Sequence, residues 1–253
     1  MADVPFEASR DAANHSAEAL NELFEERRDW RRFTSHPELG FQNSYQLITR
    51  RDTAERLKIA TGAGQATISD LAKICPSDSP EKNAPPCPLR FKSSPDFFYR
   101  ADGVHGLREK YKFEFRSIDY TLHENIYGEL KKKSAEVVDG WATDPELRLD
   151  KHPLFIKLSH DKKFFPPYYA VGLANRKLFE AFPGVHKSLA GPHRKISEKD
   201  ISDLIGKVGA AKIASEELGS PQKAQALEAI IKEFLTEKRI LDKGGPRPTS
   251  QLR

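Results

Sequence analysis

No stretch of this 253-residue chain approaches the roughly 20 consecutive apolar residues of a bilayer-spanning helix, so no membrane span is predicted. Cysteine is almost absent. Cys75 and Cys87 are the only two, and without a C-x-x-C pair there is no zinc ribbon or thioredoxin-like motif. The opening residues, MADVPFEASRDAANHSAEAL, lack the basic stretch and apolar core of a secretion signal. The two thiols are therefore expected to stay reduced, although a disulfide between them is geometrically open, and a cytoplasmic location is predicted. Charge of one sign is also scarce. The 41 basic and 37 acidic residues leave a net +4, too weak a field to coat nucleic acid but compatible with a local site. P-loop, G-x-S-x-G and G-x-G-x-x-G signatures are missing, and no two of the eight histidines stand at the i, i+4 spacing of a helical zinc site.

Apolar periodicity supplies the outline. Leu20, Leu23, Phe24 and Trp30 predict a helix over Ser9–Phe33, and Tyr45–Arg51 begins another helical piece. Two short helices follow over 52–62 and 65–74, the first opened by the Asp52/Glu55 capping spacing. Six prolines between Pro76 and Pro95 make a loop. Pro95–Tyr99 and Lys110–Arg116 alternate like half-buried strands around a turn at 101–106, with Tyr111, Phe113 and Phe115 on one face. A helix is predicted over Tyr120–Val138, a strand over Leu154–Leu158, an apolar stretch over Tyr168–Leu173 and a short helix over Arg176–Phe182. Ser197 opens a helix with Ile201, Leu204, Ile205 and Val208 on its apolar face. Ser220 with Pro221 opens the last helix, to Leu241, with Leu227, Ile230, Ile231, Phe234 and Leu235 inward.

The fold class expected is α+β: a small central sheet flanked by N-terminal and C-terminal helices. The segments are a helical region 1–75, a proline-rich loop 76–92, an α/β core 93–195, C-terminal helices 196–243 and a disordered tail 244–253.

Within residues 53–73, TAERLKIATGAGQATISDLAK places Leu57, Gly62, Ile68 and Leu71 at the buried and turn positions of two crossed helices. The segment resembles the helix-turn-helix of repressor-type DNA-binding proteins. The resemblance implies that Gln65, Thr67 and Ser69 face DNA, with Asp70 beside them. Within residues 93–117, Asp96 follows Pro95, and Glu114 lies on the polar face of the second predicted strand. This segment resembles the strand–turn–strand core of PD-(D/E)XK nucleases. That likeness implies a Mg²⁺ ion held by Asp96 and Glu114, with Arg116, where the family has lysine, or Lys112 stabilising charge on the phosphate.

Other constellations read two ways. Phe97, Phe98, Tyr99, Phe164, Phe165, Tyr168 and Tyr169 lie beside Arg100, Lys162 and Lys163 and could stack bases, but such clusters are more often core. His152, His160, His186 and His193 could mark a small-molecule enzyme site in 150–193. The reading reached from sequence is a DNA-binding protein with Mg²⁺-dependent endonuclease activity. The alternatives are a non-catalytic interaction protein, homodimeric through its terminal helices, and an enzyme using the histidine-rich region.

Overall fold

The computed structural model describes residues 17–26, 31–59, 65–77, 87–148, 154–185, 191–210 and 221–241. The strands are β1 (Phe33–Gln42), β2 (Tyr45–Arg50), β3 (Arg90–Ser93), β4 (Ser117–Tyr120), β5 (Val137–Trp141), β6 (Phe155–Leu158) and β7 (Tyr169–Asn175). The α-helices are α1 (Ala17–Glu26), α2 (Arg51–Arg56), α3 (Ser69–Ile74), α4 (Pro95–Tyr99), α5 (Gly106–Tyr111), α6 (His123–Lys131), α7 (Arg176–Ala181), α8 (Glu198–Ala210) and α9 (Pro221–Glu237). The chain divides into a five-stranded unit, residues 44–166, and a two-stranded unit formed by residues 1–43 with 167–253. It is a mixed α and β protein, as its sequence predicts, with two sheets in place of one central sheet. Among the described residues no helix is long and apolar enough to cross a membrane.

In the five-stranded unit the order is β4-β3-β5-β2-β6. Strand β3 pairs in parallel with β4 and β5, while β2 runs antiparallel to β5 and β6. Four strands therefore share one direction and β2 opposes them. Leu47, Phe91, Val137 and Leu158 enter one apolar core, with Phe97, Leu107, Tyr111, Phe113 and Phe115. Ile48, Val138 and Phe155 enter the other, against Ile126, Tyr127 and Leu130 of α6. Successive strand residues thus feed opposite cores, so the adjacent apolar pairs Leu47–Ile48 of β2 and Val137–Val138 of β5 show no alternation with polar residues. Phe91 stacks on Phe115 at 4.6 Å between ring centroids. Full burial of each such ring is worth about 1.5–3 kcal/mol.

Several sequence expectations change here. Tyr45–Arg51 is a strand followed by the start of α2, because a run buried on both faces carries no helical stripe to distinguish it. The predicted hairpin is absent. Pro95–Tyr99 is helix α4, opened by Ser94 as N-cap and Pro95 in its first turn. Lys110 and Tyr111 end α5, and Lys112 takes a left-handed φ of 57° before the chain extends through Phe113 and Phe115. The strands lie just outside the predicted ones, at 90–93 and 117–120. The helix predicted over Tyr120–Val138 stops at Lys131, and Val137 opens β5. The long N-terminal helix is α1, with Phe33 already in β1; the rest of that prediction, at 9–16 and 27–30, lies outside the described residues, as do Gly62, most of the proline-rich loop, Ser220 and the tail.

Cys75 and Cys87 are joined by a disulfide, which overturns the expectation of reduced thiols. The bond ties the end of α3 to the segment entering β3.

In the two-stranded unit β1 and β7 pair antiparallel with two register shifts. Asn21 of α1 holds β1 by accepting from Ser35 N at 2.8 Å and Thr34 Oγ1 at 3.2 Å. Asn175 caps α7. Helices α8 and α9 are joined through Asp200 and Lys238, 2.6 Å apart. Burial pushes the Asp200 carboxyl up, but hydrogen bonds from Lys238 and from Ser197 outweigh it and hold its pKa at about 2, against an ordinary 3.8. A depressed folded pKa gives stability that is present above 3.8 and lost as pH falls toward 2. Asp200→Asn should therefore weaken the α8–α9 pair at neutral pH and flatten the loss of 222 nm ellipticity between those pH values. An unchanged acid transition would show that the ion pair contributes nothing.

Candidate functional site

Parallel strands with helical connections gather chain turns at their carboxyl ends, where open α/β sheets bind ligands. In the five-stranded unit that edge carries Ser93 of β3, Tyr120 of β4, Trp141 of β5 and Leu158 of β6, together with Tyr45 at the start of the opposed β2. From β3 the connections lead to β4 on one side and, after β4, to β5 on the other. The switch between these directions lies between β3 and β5.

A buried carboxylate fixes this switch. Asp139 is fully enclosed, accepting from Ser94 N at 2.7 Å and from Ser94 Oγ at 2.6 Å. Burial pushes the Asp139 carboxyl above its ordinary value, and the Ser94 hydrogen bonds offset this only in part. Ser94 Oγ also accepts from Phe97 N at 3.4 Å, so the same contact sets the first turn of α4. Gly103 then folds back close beneath that helix. A Cβ there would meet the Phe97 carbonyl oxygen at 1.9 Å, so only glycine fits.

Helix α4 presents an aromatic cluster. Phe98 lies 5.0 Å from Tyr99, 6.0 Å from Tyr120 and 6.4 Å from His105 between ring centroids. Tyr99 is 74% exposed and Tyr120 62% exposed. Large rings left this open contribute little to folding, and adjacent ones offer π faces to a ligand. Beside this cluster Tyr45 stacks on Trp141 at 4.0 Å. The Arg100 guanidinium lies 5.8 Å from the Tyr45 centroid, and His123 lies 6.2 Å from Trp141. Phe97, at 4.9 Å from Tyr45, joins the two clusters from below and is itself core.

Under Trp141, Asp144 accepts from the Tyr127 hydroxyl at 2.7 Å and from Trp141 N at 2.8 Å, and its other oxygen lies 3.4 Å from His123 Nε2. Burial, then the charge of Asp144, push the Tyr127 hydroxyl up, so it stays protonated and donates. This packing needs Gly140, whose added Cβ would meet Ile48 Cδ1 at 2.4 Å and both Asp144 Oδ2 and Tyr127 OH at 2.9 Å.

The residues singled out from sequence are distributed otherwise. Asp96 is exposed in the first turn of α4. Glu114 is paired with Arg108, and it shares an open cavity of about 410 Å³ with Lys112, His105 and Arg108, which Asp96 does not line. Arg116 is exposed, its backbone N donating to Leu89 O. Among the described residues no group of three His, Cys, Asp or Glu side chains could hold a metal ion. Gln65 is exposed, Thr67 is tied to Asp70, and Ser69 Oγ donates to Asp161 at 2.5 Å. Thr67 bridges Ser159 at the end of β6, so this segment is bound to the sheet edge.

Of the aromatics weighed for stacking, Phe97 and Phe165 are core, while Tyr99, Tyr168 and Tyr169 are exposed. Among the histidines, His160 lies against Phe165 and burial lowers its pKa; His193 contacts the Glu38 carbonyl in the other unit. His152 and His186 lie outside the described residues. Sequence reading missed Tyr45, Tyr120, His123, Asp139, Trp141 and Asp144. The available signal was VVDGW, an apolar strand closed by an acid, a glycine and a tryptophan.

Comparison with known proteins gives a consistent picture. Residues 17–218 match the family model described as the substrate-binding domain of ABC-type glycine betaine transport systems. The carnitine transport binding protein OpuCC of Listeria monocytogenes (strain 10403S) is 29% identical over 187 residues, which cover 74% of this chain and 53% of that protein. The ergothioneine transport permease/ergothioneine binding protein EgtU of Helicobacter pylori (strain G27) is 29% identical over 168 residues, 66% of this chain and 26% of that protein. The chain thus spans about half of one relative and about a quarter of the other. Among solved structures, a glycine betaine/carnitine/choline ABC transporter protein matches with a TM-score of 0.64 at 23% identity, over 89% of this chain and 70% of that one. Apo YehZ from Escherichia coli matches with a TM-score of 0.57 at 14% identity, over 94% and 76%. These structural likenesses show a common fold.

Proposed function

Because the chain belongs to the family of substrate-binding domains of ABC-type glycine betaine transport systems, we propose that it captures a small quaternary amine and hands it to a membrane permease driven by an ATPase. The ligand class is that of glycine betaine, carnitine and choline. The observation that carries this reading is the exposed pair Tyr99 and Tyr120, packed about the half-buried Phe98, at the edge of a mixed sheet where four strands end together. A trimethylammonium group cannot donate a hydrogen bond, and its charge is spread over methyl groups. Protein recognition therefore falls to π faces, which supply negative quadrupole and apolar contact together.

Family membership corrects the reading reached from sequence. The DNA-binding and Mg²⁺-dependent endonuclease assignments, the Mg²⁺ ion on Asp96 and Glu114, the histidine-region enzyme and the DNA or homodimer partners are all replaced by solute capture for a transporter. Both motif likenesses rested on some 20 to 25 residues, short enough to arise by chance, whereas the family match runs from residue 17 to 218. The cytoplasmic location falls too. A substrate-binding domain of an importer meets its solute outside the cytoplasm, and the Cys75–Cys87 disulfide belongs to an oxidising compartment.

Isothermal titration with glycine betaine, carnitine, choline and ergothioneine tests the proposal. At least one should bind, and Tyr99→Ala and Tyr120→Ala should each weaken it roughly tenfold. Circular dichroism should stay unchanged, since both rings are exposed. Failure of all four ligands to bind, or wild-type affinity in the double variant, would defeat the reading.

A further inference from the structure

We propose that the buried Tyr127 is a positioning residue for capture: acting through Asp144, its hydroxyl holds Trp141 in the stack with Tyr45 at the ligand edge. This role rests on the quaternary-amine reading above. It concerns what presents the aromatic surface, not which amine is taken.

Tyr45 and Trp141 are each half-buried, and their rings lie 4.0 Å apart at the same sheet edge as Tyr99 and Tyr120. Trp141 is the last residue of β5, so the strand ladder stops with it. The chain then turns at once. Ala142 N donates to Ser44 O at 3.0 Å, and Asp144 N donates back to Trp141 O at 3.0 Å. Trp141 N donates into this turn, to Asp144 Oδ2 at 2.8 Å. Where the indole stands therefore depends on where that one carboxylate oxygen stands.

Tyr127 fixes that oxygen, because its hydroxyl donates to the same Oδ2 at 2.7 Å. The tyrosine itself has little freedom. Its ring is 6% exposed, packs with Ile48, Val138 and Phe155, and lies 5.3 Å from Phe155 between centroids. The hydroxyl is pressed against β5 so closely that a Cβ on Gly140 would stand 2.9 Å from it. Asp144 is held less firmly from its other side, where Oδ1 lies 3.4 Å from Nε2 of His123, a side chain 37% exposed. Without the tyrosine hydroxyl, a buried carboxylate loses one of its donors, which is costly in a dry site. Rotation toward His123 relieves that cost. The same rotation withdraws Oδ2 from Trp141 N, so the end of β5 frays and the indole leaves Tyr45.

Isothermal titration of the wild type with glycine betaine, carnitine, choline and ergothioneine selects the tightest of the four as the probe. Tyr127→Phe should weaken that probe on the order of tenfold, as expected for one lost hydrogen bond to a charged group, with an unchanged far-ultraviolet spectrum. Near-ultraviolet dichroism, recorded in a Trp30→Phe background where Trp141 is the only tryptophan, should lose the Trp141–Tyr45 signal in the same variant. Ile126→Val trims the same core without touching the hydroxyl, and should keep both the wild-type affinity and that signal. Because Tyr127 acts through Asp144, adding Tyr127→Phe to Asp144→Ala should cost no further affinity. Wild-type affinity in Tyr127→Phe would overturn the proposal. So would an equal loss in Ile126→Val, or additive losses in the double variant. If none of the four ligands binds the wild type, the quaternary-amine reading itself fails and takes this role with it.

Discussion

Replacing Asp139 with alanine is expected to lower the free energy of unfolding by about 2–5 kcal/mol, because two buried donors lose their acceptor together. Both are on Ser94, whose N and Oγ point at the enclosed carboxylate from 2.7 and 2.6 Å. Each buried polar group left unpaired costs about 1–3 kcal/mol, and Asp139 and Ser94 are both buried. Asp139→Asn should recover only part of the loss, since an amide offers one acceptor and turns an N–H toward a donor. The pH dependence has a definite sign. Burial raises the folded pKa of Asp139 above its ordinary value of 3.8. The wild type therefore loses stability from this group as pH rises from 3.8 through the folded pKa, and the alanine variant should lack that slope. Urea unfolding followed by ellipticity and tryptophan fluorescence measures both effects. A wild-type midpoint in Asp139→Ala would show that the switch between β3 and β5 holds without its clamp. Ligand affinity should fall as well, because Ser94 sets the first turn of the helix that carries Phe98 and Tyr99.

Reduction of the Cys75–Cys87 disulfide should cost about 3 kcal/mol, the loop-closure entropy restored to the unfolded chain for a bridge of this span. The sequence separation is 12, and Cys75 is buried among core residues at the end of α3. The Cys75→Ser, Cys87→Ser double variant should show a similar drop in urea midpoint, and a reducing agent should have no further effect on it. A wild-type midpoint unchanged by reduction would mean that the unfolded chain is already restrained in this region. The same measurement bears on location, since a domain needing this bond for a fair share of its stability is suited to an oxidising compartment.

The sequence was readable wherever the deciding contacts are local. The 3.6-residue period placed α8 and α9 to within a few residues. Of the residues expected inward, however, only Phe234 is buried, while Ile205 of α8 and Leu227 and Ile231 of α9 are exposed. A helical period marks an apolar face and not what covers it. Strand β6 and helix α7 also stand where alternation and spacing put them. Tyr111, Phe113 and Phe115 point inward as predicted, but into a core under a sheet they do not belong to. The strands that flank them are only four residues long, and β4 ends in the exposed Asp119 and Tyr120, so they are too short to carry a clear alternation or a turn signal. Hence a hairpin was read where a parallel β-helix-β unit exists. The same run of residues then supplied an acidic pair for a nuclease. On the helix and extended segment that form instead, Asp96 is an exposed first-turn acid and Glu114 is the partner of Arg108.

The amino-acid sequence by itself determined where the C-terminal helices, β6 and α7 lie, and that no long apolar span exists, because each depends on neighbours a few residues apart. Tertiary structure alone decided that Ser94 would meet an acid 45 positions away and that Tyr45, Tyr120 and Trp141 would share one edge. It also decided that Cys75 would bond to Cys87. The reason is that parallel strand pairing joins distant segments through backbone hydrogen bonds, which every residue but proline can make, so their meeting leaves no local mark in the side chains. Tyr99 and Phe97 show the limit most plainly: two aromatic rings two residues apart on one short helix, the one exposed at the candidate ligand edge and the other locked in the core.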